Sequence, residues 1–554
     1  MGSLVLFRSF RLGLLLALAA TTLAAQYPVF TSSLRAFHAG VGPRVIVRDK
    51  AGDLYTLYRD QLSLPLTEWR VGIARSSDGG KTWNLKWQTG FDSNPAGHYG
   101  NVPGSLAIDS QENLHVTWNH QVTNYQNCSI VYNRYDRVTQ SWGTEVQIVP
   151  DGYGRTTSAL AIDSKDYVWM LHSTTSSWRC IMSRSDKPLA SDLKFTPTTP
   201  TFMVTANCQH ASLVVDALDR IHASFYSTGN GDTVHHQWLD PNALSPTWTV
   251  TPLGNVNLSD DEFSSMAADL QGNVYIVYGN DTQRSTTGDP NWELRKWDGM
   301  TTTWSAPVPV YKTTHAQFRP TGGDSWGYVI CLACDEGSGE VYFTYRNFES
   351  GQFLLARWHD GDPAPTTYAL LANTGTLPPN ALNYMWLPNF RGSLFPVFNR
   401  TALGLHLIYC TGDQTASSPS YTFWSESFPV AALTSPGAPK IGTTYPLALA
   451  AVTEGRQNYA MALTTSGNTP VVAVGRRFLP IVPDSVFYLT LSNVLPAVFG
   501  NFQGALDPSG SAQASVAIPN LGVLVGVDVH GAFVTFDPSG IRAISNPWFF
   551  RITA

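Results

Sequence analysis

The sequence predicts an all-β protein made of a repeated four-stranded unit and a smaller second β domain. Composition is one basis for this prediction, since 12% of the 554 residues are aromatic, 14% are charged and 45 are glycine. Such a composition is typical of many short strands joined by tight turns. The other bases are a repeat through about the first 430 residues and a change of pattern near residue 435.

The repeat consists of an apolar run that ends in aspartate, a short turn and a second apolar run, as in SLAIDSQENLHVTWNH. A third strand and a turn that returns an aromatic residue follow, so each unit of about fifty residues holds four strands, which is typical of a propeller blade. We expect a propeller over residues 26–434 with seven blades, or six if the last segment is a cap. The repeating residues are Asp49, Asp109, Asp163, Asp216, Asp269 and Asp335, and a degenerate seventh copy, YMWLPNFRGSLFPVFNR, lies near Asn389.

The two ends of the chain have different compositions. Residues 1–25 predict a secretory signal peptide, because Arg8 and Arg11 precede the apolar run LGLLLALAA and small residues follow it. The mature chain is therefore expected to be secreted, whether extracellular, periplasmic or cell-surface, and it has no later apolar run long enough for a transmembrane helix. Residues 435–554 consist of alternating strands punctuated by glycine, which predicts a β-sandwich accessory domain.

Charge and cysteine content limit the ligands. The net charge of −6 leaves no basic surface for nucleic acid. Six cysteines allow fifteen full pairings, and Cys331 and Cys334 are interpreted as buried thiols or disulfide partners. His235 and His236 are adjacent in a strand and should point to opposite faces, so they predict no shared metal site. We expect no cofactor; structural calcium is the one ion that aspartates and carbonyls could hold, although no EF-hand pattern is present.

Candidate site residues follow from the antiparallel order of the strands. Residues before each first strand and after each second strand should lie at one mouth of the propeller. Arginine, histidine, tyrosine and glutamate at such a mouth suit binding and proton transfer on an acidic polysaccharide or glycoconjugate. The residues before first strands are His38, Arg44, His98, Arg155, His210, Glu262 and Tyr384, and those after second strands are Arg59, His120, His172, Arg346 and Arg400.

The turn SSDGGKTW, residues 76–83, matches the Asp-box S-x-D-x-G-x-T-W, and in this the chain resembles the sialidase-type, or BNR, repeat proteins. The resemblance implies a propeller in which this turn lies on the face away from the ligand. Short polar side chains and glycine in such a turn bond its backbone and allow positive φ.

The second unit resembles the BNR-repeat family that includes ulvan lyases. That family has a histidine before a strand of the type SLAID and a second histidine just after the next strand, which correspond here to His98 and His120. The resemblance implies that these two correspond to the family's catalytic pair. Such a lyase removes the proton next to a uronate carboxylate with histidine or tyrosine as base and acid, while an arginine neutralises the carboxylate. The family takes a tyrosine and an arginine from the following unit, where this sequence has Arg155, His172 and Arg179.

Sialidases are the second resemblance, through the Asp-box and an early arginine in the run GPRVIV. This likeness implies glycoside hydrolysis with an arginine triad, a tyrosine–glutamate nucleophile pair and an aspartate acid, for which the candidates are Arg44, Arg59, Asp60, Glu262, Arg319, Arg346, Tyr384 and Arg400. For the mouth as a whole we predict His98, His120, Arg155 and His172 as catalytic residues. The predicted substrate-binding residues are His38, Arg44, Arg59, His210, Glu262, Arg346, Tyr384 and Arg400. The R-I-P sequence of the sialidases is absent. A third alternative is a non-catalytic propeller that binds glycans or proteins at a cell surface.

Overall fold

A computed structural model of the chain describes residues 26–32, 46–49, 51–61, 69–87, 101–123, 127–152, 158–173, 180–189, 192–198, 207–228, 233–255, 264–279, 291–312, 331–335, 339–346, 353–369, 384–386, 404–412, 421–429, 431–451, 454–467, 472–474, 477–479, 481–538, 540–545 and 548–554. None of the helices in these ranges is long and apolar enough to span a membrane.

The prediction of an all-β protein is confirmed. In the described part of residues 26–429, the strands form seven antiparallel sheets of four or five strands each. After β1 (Gln26–Ser32), which belongs to sheet 7, sheet 1 contains β2 (Ile46–Arg48), β3 (Leu54–Gln61), β4 (Trp69–Ser76) and β5 (Asn84–Trp87). Sheet 2 contains β6 (Asn101–Ile108), β7 (Leu114–Thr123), β8 (Asn127–Asp136), β9 (Ser141–Trp142) and β10 (Val146–Gly152). Sheet 3 contains β11 (Ser158–Ile162), β12 (Val168–Ser173), β13 (Cys180–Ser185) and β14 (Phe195–Pro197), and sheet 4 contains β15 (Asn207–Val215), β16 (Ile221–Thr228), β17 (Thr233–Leu239) and β18 (Thr249–Asn255).

Three further sheets complete this part of the chain. They contain β19 (Ser264–Ala268), β20 (Val274–Gly279), β21 (Asn291–Asp298), β22 (Thr303–Trp304) and β23 (Val308–Lys312) in sheet 5; β24 (Cys331–Asp335), β25 (Glu340–Arg346), β26 (Phe353–Trp358) and β27 (Thr366–Ala369) in sheet 6; and β28 (Tyr384–Trp386), β29 (Gly404–Gly412) and β30 (Tyr421–Pro429) together with β1 in sheet 7.

In sheets 1 to 5, the repeated aspartate closes the turn between the first and second strands. In sheet 2, Asp109 Oδ1 accepts the backbone N–H of Asn113 at 2.7 Å, and Oδ2 lies 3.2 Å from Nε2 of His115. The same pattern, an N–H four residues on and an aromatic donor six residues on, recurs for the other aspartates. Those bonds join Asp49 to Asp53 and Tyr55, Asp163 to Tyr167 and Trp169, Asp216 to Arg220 and His222, and Asp269 to Asn273 and Tyr275.

These turns require a left-handed residue three positions after the aspartate. Glycine occupies this position in sheets 1 and 5, as Gly52 with φ 93° and Gly272 with φ 80°, and Glu112, Asp166 and Asp219 adopt φ between 62° and 67° in sheets 2 to 4. Glycine reaches this region without a steric penalty, and the short side chain of aspartate tolerates it better than bulky ones, which accounts for Asp166 and Asp219 but not for Glu112. Sequence therefore determines the turn locally, within a few residues of each aspartate.

Consecutive sheets pack face to face in chain order. Strand alternation places Leu160 in a buried cluster shared with sheet 2, and its neighbour Ala161 in a cluster shared with sheet 4. The first strands are also joined directly, because Ser105 Oγ accepts the N–H of Leu160, 3.1 Å away, across the boundary between sheets 2 and 3. Equivalent bonds run from Met266 N to Ser212 Oγ and from Leu332 N to Ser265 Oγ.

Sheet 7 joins the two ends of this part of the chain. Strand β1 pairs antiparallel with β30, with Gln26 opposite Glu426, so the N-terminal strand supplies the outer edge of the last sheet. The inner strand β28 pairs with β29, where Tyr384 is opposite Cys410. The predicted seventh copy, YMWLPNFRGSLFPVFNR, contributes β28 to this sheet, and the rest of that run up to Arg400 lies outside the described residues. The strand that pairs with β28 in the described ranges is β29.

The C-terminal unit begins directly after β30. Its first strand pairs within a new sheet, so the unit starts at Ala432, close to the predicted boundary of 435. The unit contains β31 (Ala432–Thr434), β32 (Thr444–Ala450), β38 (Ser511–Ala517) and β36 (Phe499–Gly500) in sheet 8; β33 (Asn458–Thr464), β37 (Gln503–Ala505), β39 (Asp528–Asp537), β40 (Gly540–Ile544) and β41 (Trp548–Arg551) in sheet 9; the hairpin of β34 (Val472–Val474) and β35 (Arg477–Leu479); and the helix α1 (Ser485–Leu491).

Sheets 8 and 9 share one apolar core. Leu447 and Leu449 from β32 lie in the same buried cluster as Met461 from β33 and Phe533 from β39. Alternation along β32 is clear, since its buried residues alternate with more exposed ones. The short helix α1 is capped by Asp484, whose side chain accepts the N–H of Phe487 at 2.8 Å.

A buried ionic network joins the C-terminal unit to sheet 6. Arg357, on β26, is 1% exposed and pairs with the carboxylate of Glu454, which is also 1% exposed. The other Glu454 oxygen lies 3.1 Å from Nε of Arg542, and Arg357 lies 3.7 Å from Glu340. Arg542 also reaches Asp362 of the sheet 6 side, at 3.5 Å. Charges this deeply buried are tolerated only when they are paired, so the two units are held in one arrangement here.

Candidate functional site

The predicted site lies at the ends of the sheets opposite the aspartate turns, which we call the candidate rim. Antiparallel pairing places the start of each first strand beside the end of the second, as with Asn101 opposite His120 in sheet 2. Of the twelve residues predicted for this end, six lie outside the described residues and five are described as strand positions. His38, Arg44, His98, Arg155, Glu262 and Arg400 lie outside the described residues, and Arg59, His120, His210, Arg346 and Tyr384 are described as strand positions only.

The strand positions at the candidate rim are specific. Arg59 is paired with Val71, and Arg346 with Phe353, each between the second and third strands of its sheet. His210 lies within a register shift between Gln209 and Ser212, where β15 departs from regular pairing. Such irregularities re-aim side chains at the ends of sheets. The register of these strands thus brings the predicted residues to one end of their sheets, and their assignment as site residues stays a prediction.

His172 is the one predicted catalytic residue whose side chain is described. It lies on β12 opposite Ser158 and is buried, with Nε2 2.9 Å from the hydroxyl oxygen of Ser183. It follows the repeated aspartate by nine residues, and the same position holds large buried side chains in sheets 1, 2, 4 and 5. These are Tyr58, Trp118, Phe225 and Tyr278, which with His172 we call the aromatic layer. His172 therefore lies inside the sheets, one layer below the candidate rim.

A tyrosine–glutamate pair in the aromatic layer was missed by the sequence reasoning. The hydroxyl of Tyr278 donates to Glu293 Oε2 at 2.6 Å, and the guanidinium of Arg295 lies 5.9 Å from the tyrosine ring. Burial, and then the bond to the Glu293 carboxylate, raise the pKa of Tyr278. The hydroxyl therefore stays protonated at neutral pH, with its proton donated to Glu293. The signal available in the sequence was the nine-residue spacing from Asp269.

The Asp-box-like turn lies at the other end of sheet 1. Ser76 Oγ donates to Asp78 Oδ1 at 2.8 Å, the N–H groups of Lys81 and Thr82 donate to the same oxygen, and Trp83 Nε1 donates to the carbonyl of Gly80. Burial opposes ionisation of Asp78, but these bonds outweigh it and lower its pKa to about 2. The turn joins a third strand to a fourth, so it lies at the same end as the aspartate turns and away from the candidate rim.

Two later turns keep the aspartate of this pattern. Asp136 Oδ1 accepts the N–H groups of Val138 and Thr139, and Asp298 Oδ1 accepts those of Met300 and Thr301, all at 2.9–3.0 Å. In both turns the threonine hydroxyl reaches a second hydroxyl two residues on. In sequence, these turns share with the first one mainly the aspartate and the final aromatic residue, Trp142 or Trp304. The sequence signal that would have identified them is an aspartate three residues before a threonine and six residues before the tryptophan.

Four other histidines, His115, His222, His235 and His236, pack within sheets 2 and 4. His115 is fully buried between Asp109 and the hydroxyl of Tyr132, which lies 2.7 Å from Nδ1. His235 and His236 point to opposite faces of β17, as expected. His235 stacks on Phe225, whereas His236 Nε2 lies 3.1 Å from Nδ1 of His222. These contacts join neighbouring strands within the sheets, so the side chains of these histidines are engaged away from the candidate rim.

Within the described ranges, no group of three or more histidine, cysteine, aspartate or glutamate side chains is arranged to hold a metal ion. Cys180 is disulfide-bonded. Cys334 is a buried, reduced thiol on β24, in agreement with one of the two interpretations for that residue.

Comparison with known proteins gave only distant structural similarities. No family model matches the chain, and no curated protein matches it. Among solved structures, the chain is similar to the polysaccharide lyase Uly1, with 10% identity, 71% of this chain and 91% of that chain covered, and a TM-score of 0.43. It is also similar to a PL25 ulvan lyase (13%, 70% and 95%, 0.41) and to the Trypanosoma rangeli sialidase (9%, 95% and 89%, 0.37). Identities and TM-scores this low assign no function to the chain. A proposed function therefore has to rest on the chain's own residues.

Proposed function

We propose that the chain is a secreted, seven-bladed β-propeller with a C-terminal β-sandwich, and that it acts on an acidic polysaccharide at the candidate rim by lyase or glycosidase chemistry. Seven sheets among the described residues, packed in chain order and completed by β1, support the propeller and its blade count. One core between sheets 8 and 9 supports the sandwich. The disulfide at Cys180 and the N-terminal signal pattern support secretion.

The observation that carries the proposed chemistry is the pairing of Asn101 with His120 in sheet 2. Paired Cα atoms in antiparallel strands are about 5 Å apart, and three residues of chain span at most about 11 Å. His98 precedes Asn101 by three residues, so the Cα atoms of the two histidines can be no more than about 16 Å apart. Two long imidazole side chains can face one sugar residue across such a distance.

The proposed reaction uses this pair as base and acid. One imidazole removes the proton next to a uronate carboxylate, the other protonates the departing glycosidic oxygen, and Arg155 from the next sheet neutralises the carboxylate. His172, bonded to Ser183 beneath the rim, is assigned here to positioning the neighbouring strands. The substrate-binding residues of the proposal are His38, Arg44, Arg59, His210, Glu262, Arg346, Tyr384 and Arg400.

The test is to incubate the purified mature protein with uronate-containing and sialylated polysaccharides. Ultraviolet absorbance of unsaturated products and new reducing ends are followed in parallel. His98→Ala and His120→Ala are each expected to lower the rate by roughly 10²-fold or more, the usual contribution of a general acid or base. His359→Ala is the matched control, because His359 lies in the turn after β26, at the aspartate-turn end of sheet 6.

The outcomes separate the alternatives. Absorbance that both rim variants abolish and the control retains indicates a lyase, and reducing ends without absorbance indicate a hydrolase. Glycan binding without product would identify the non-catalytic binding propeller instead. Full activity in both His98→Ala and His120→Ala would refute the assigned acid and base.

A further inference from the structure

Exposed apolar side chains are concentrated in the C-terminal unit. Among the described residues, six large apolar side chains before residue 480 are highly exposed, in separate turns and strands, whereas ten lie after it. Eight of those ten occur in two short segments, which together we call the apolar patch. Its members are Tyr488, Leu489, Leu491, Val494 and Leu495 in and after α1, and Leu521, Val523 and Val525 after β38.

The two segments of the apolar patch leave sheet 8 at neighbouring points. The N–H of Ala517, the last residue of β38, donates to the carbonyl of Val498 at 2.8 Å, and Leu495 accepts the N–H of Val498. Val498 and Leu524 both pack on the core that sheets 8 and 9 share. The segments are therefore anchored side by side on one core, and their remaining apolar side chains point to solvent.

The apolar patch is also free of charge. From Ser485 to Val527 the sequence contains a single ionisable side chain with charge, Asp507. Asp507 is engaged in a turn with Ser509 and Ser511 at the start of β38, whereas the patch adjoins the end of that strand. Nothing within the patch itself could pair with a charged partner.

The area of the apolar patch matches an interface. The exposed fractions of its eight side chains, which include 60% for Val494 and 81% for Val523, amount to roughly 800 Å². One partner in a standard protein–protein interface buries about this much, and the largest patch on a typical monomer is about 300–600 Å². Leaving the patch in water would forgo the favourable burial of that surface.

We propose that the apolar patch is the interface between two copies of this chain. In a two-fold dimer the patch packs on the same patch of the other copy, so one uncharged apolar surface covers another and no charge is buried without a partner. A bilayer with anionic lipids is normally recruited by lysine and arginine, and the patch has neither. The inference stands on the C-terminal unit and is independent of the proposed chemistry at the candidate rim.

The experiment is sedimentation velocity of the purified mature chain across micromolar concentrations. We expect the mass of a dimer for the wild type. Val494→Asp and Val523→Asp, made separately, bury a carboxylate without a partner in the apolar interface and should each weaken dimerisation about 30-fold or more. Because both side chains point to solvent in the monomer, the variants are expected to fold, which far-ultraviolet circular dichroism checks. Leu244→Asp, a fully exposed position in sheet 4, is the matched control and should remain dimeric.

Two results would overturn the proposal. One is a monomeric wild type at every concentration, and the other is a dimer that both patch variants retain. Co-sedimentation of the wild type with neutral or anionic lipid vesicles, lost in the patch variants, would assign the patch to a membrane surface and also overturn the dimer.

Discussion

Neutralising Glu454 tests the ionic network that joins the C-terminal unit to sheet 6. Glu454→Gln keeps the size of the side chain and removes its charge, so Arg357 loses the carboxylate that lies against it in an almost fully buried position. Arg542 loses the same carboxylate, but it is more exposed and keeps Asp537 at 3.1 Å. The cost should therefore arise mainly from Arg357.

The magnitude follows from the burial and from the carboxylate that remains. Removing one partner of a buried ion pair destabilises by about 3–5 kcal/mol. Glu340 lies 3.7 Å from Arg357 and offers partial compensation, so the lower end is expected. A loss of about 3 kcal/mol lowers the urea midpoint by about 1.5 M when the slope is about 2 kcal/mol per molar.

The assay is urea unfolding followed by tryptophan fluorescence and circular dichroism. Asp528→Asn is the matched control, because its partner Arg551 is on the surface and the pair is exposed, and it should leave the midpoint unchanged. Replacing Arg357 and Glu454 by methionine and Glu340 by glutamine should recover most of the lost stability, since no buried charge is then left without a partner. A midpoint for Glu454→Gln no lower than that of Asp528→Asn would show that the reasoning is wrong.

Three further predictions concern titration and thiols. Asp78, whose pKa is lowered to about 2, contributes stability above its usual pKa near 4 that is lost as pH falls toward 2, and Asp78→Asn should reduce this acid sensitivity in thermal unfolding. Burial, and then the charge of His222, hold the pKa of His236 well below its ordinary value, so stability is present above about pH 6.5 and falls below it. His236→Gln should remove up to about 1.4 kcal/mol of that loss per pH unit, measured by urea unfolding between pH 7.5 and pH 5.5; equal slopes would contradict the assignment. Cys334 should resist alkylation until the chain is unfolded, and non-reducing peptide mapping should recover Cys180 only in a cross-linked peptide.

The candidate site could be predicted only in outline. Strand order indicated which end of the sheets would hold His120 and Arg346, because antiparallel pairing leaves no other arrangement once the repeat is recognised. The aromatic layer and the bond between Tyr278 and Glu293 could not be predicted, since that pair depends on cross-strand register over fifteen residues. Register is set by how a whole sheet packs on its neighbours rather than by any single run.

The sequence by itself determined the repeated aspartate turns, because each is closed by bonds over four to six residues, as between Asp109, Asn113 and His115. Only the tertiary structure decided the contacts made across long stretches of chain. Pairing of Gln26 with Glu426 and of Arg357 with Glu454 leaves no trace in local periodicity. The physical reason is that hydrophobic period and turn chemistry act within one hairpin, whereas closing a sheet with a distant strand or burying an ion pair between units depends on where the packed sheets finally meet.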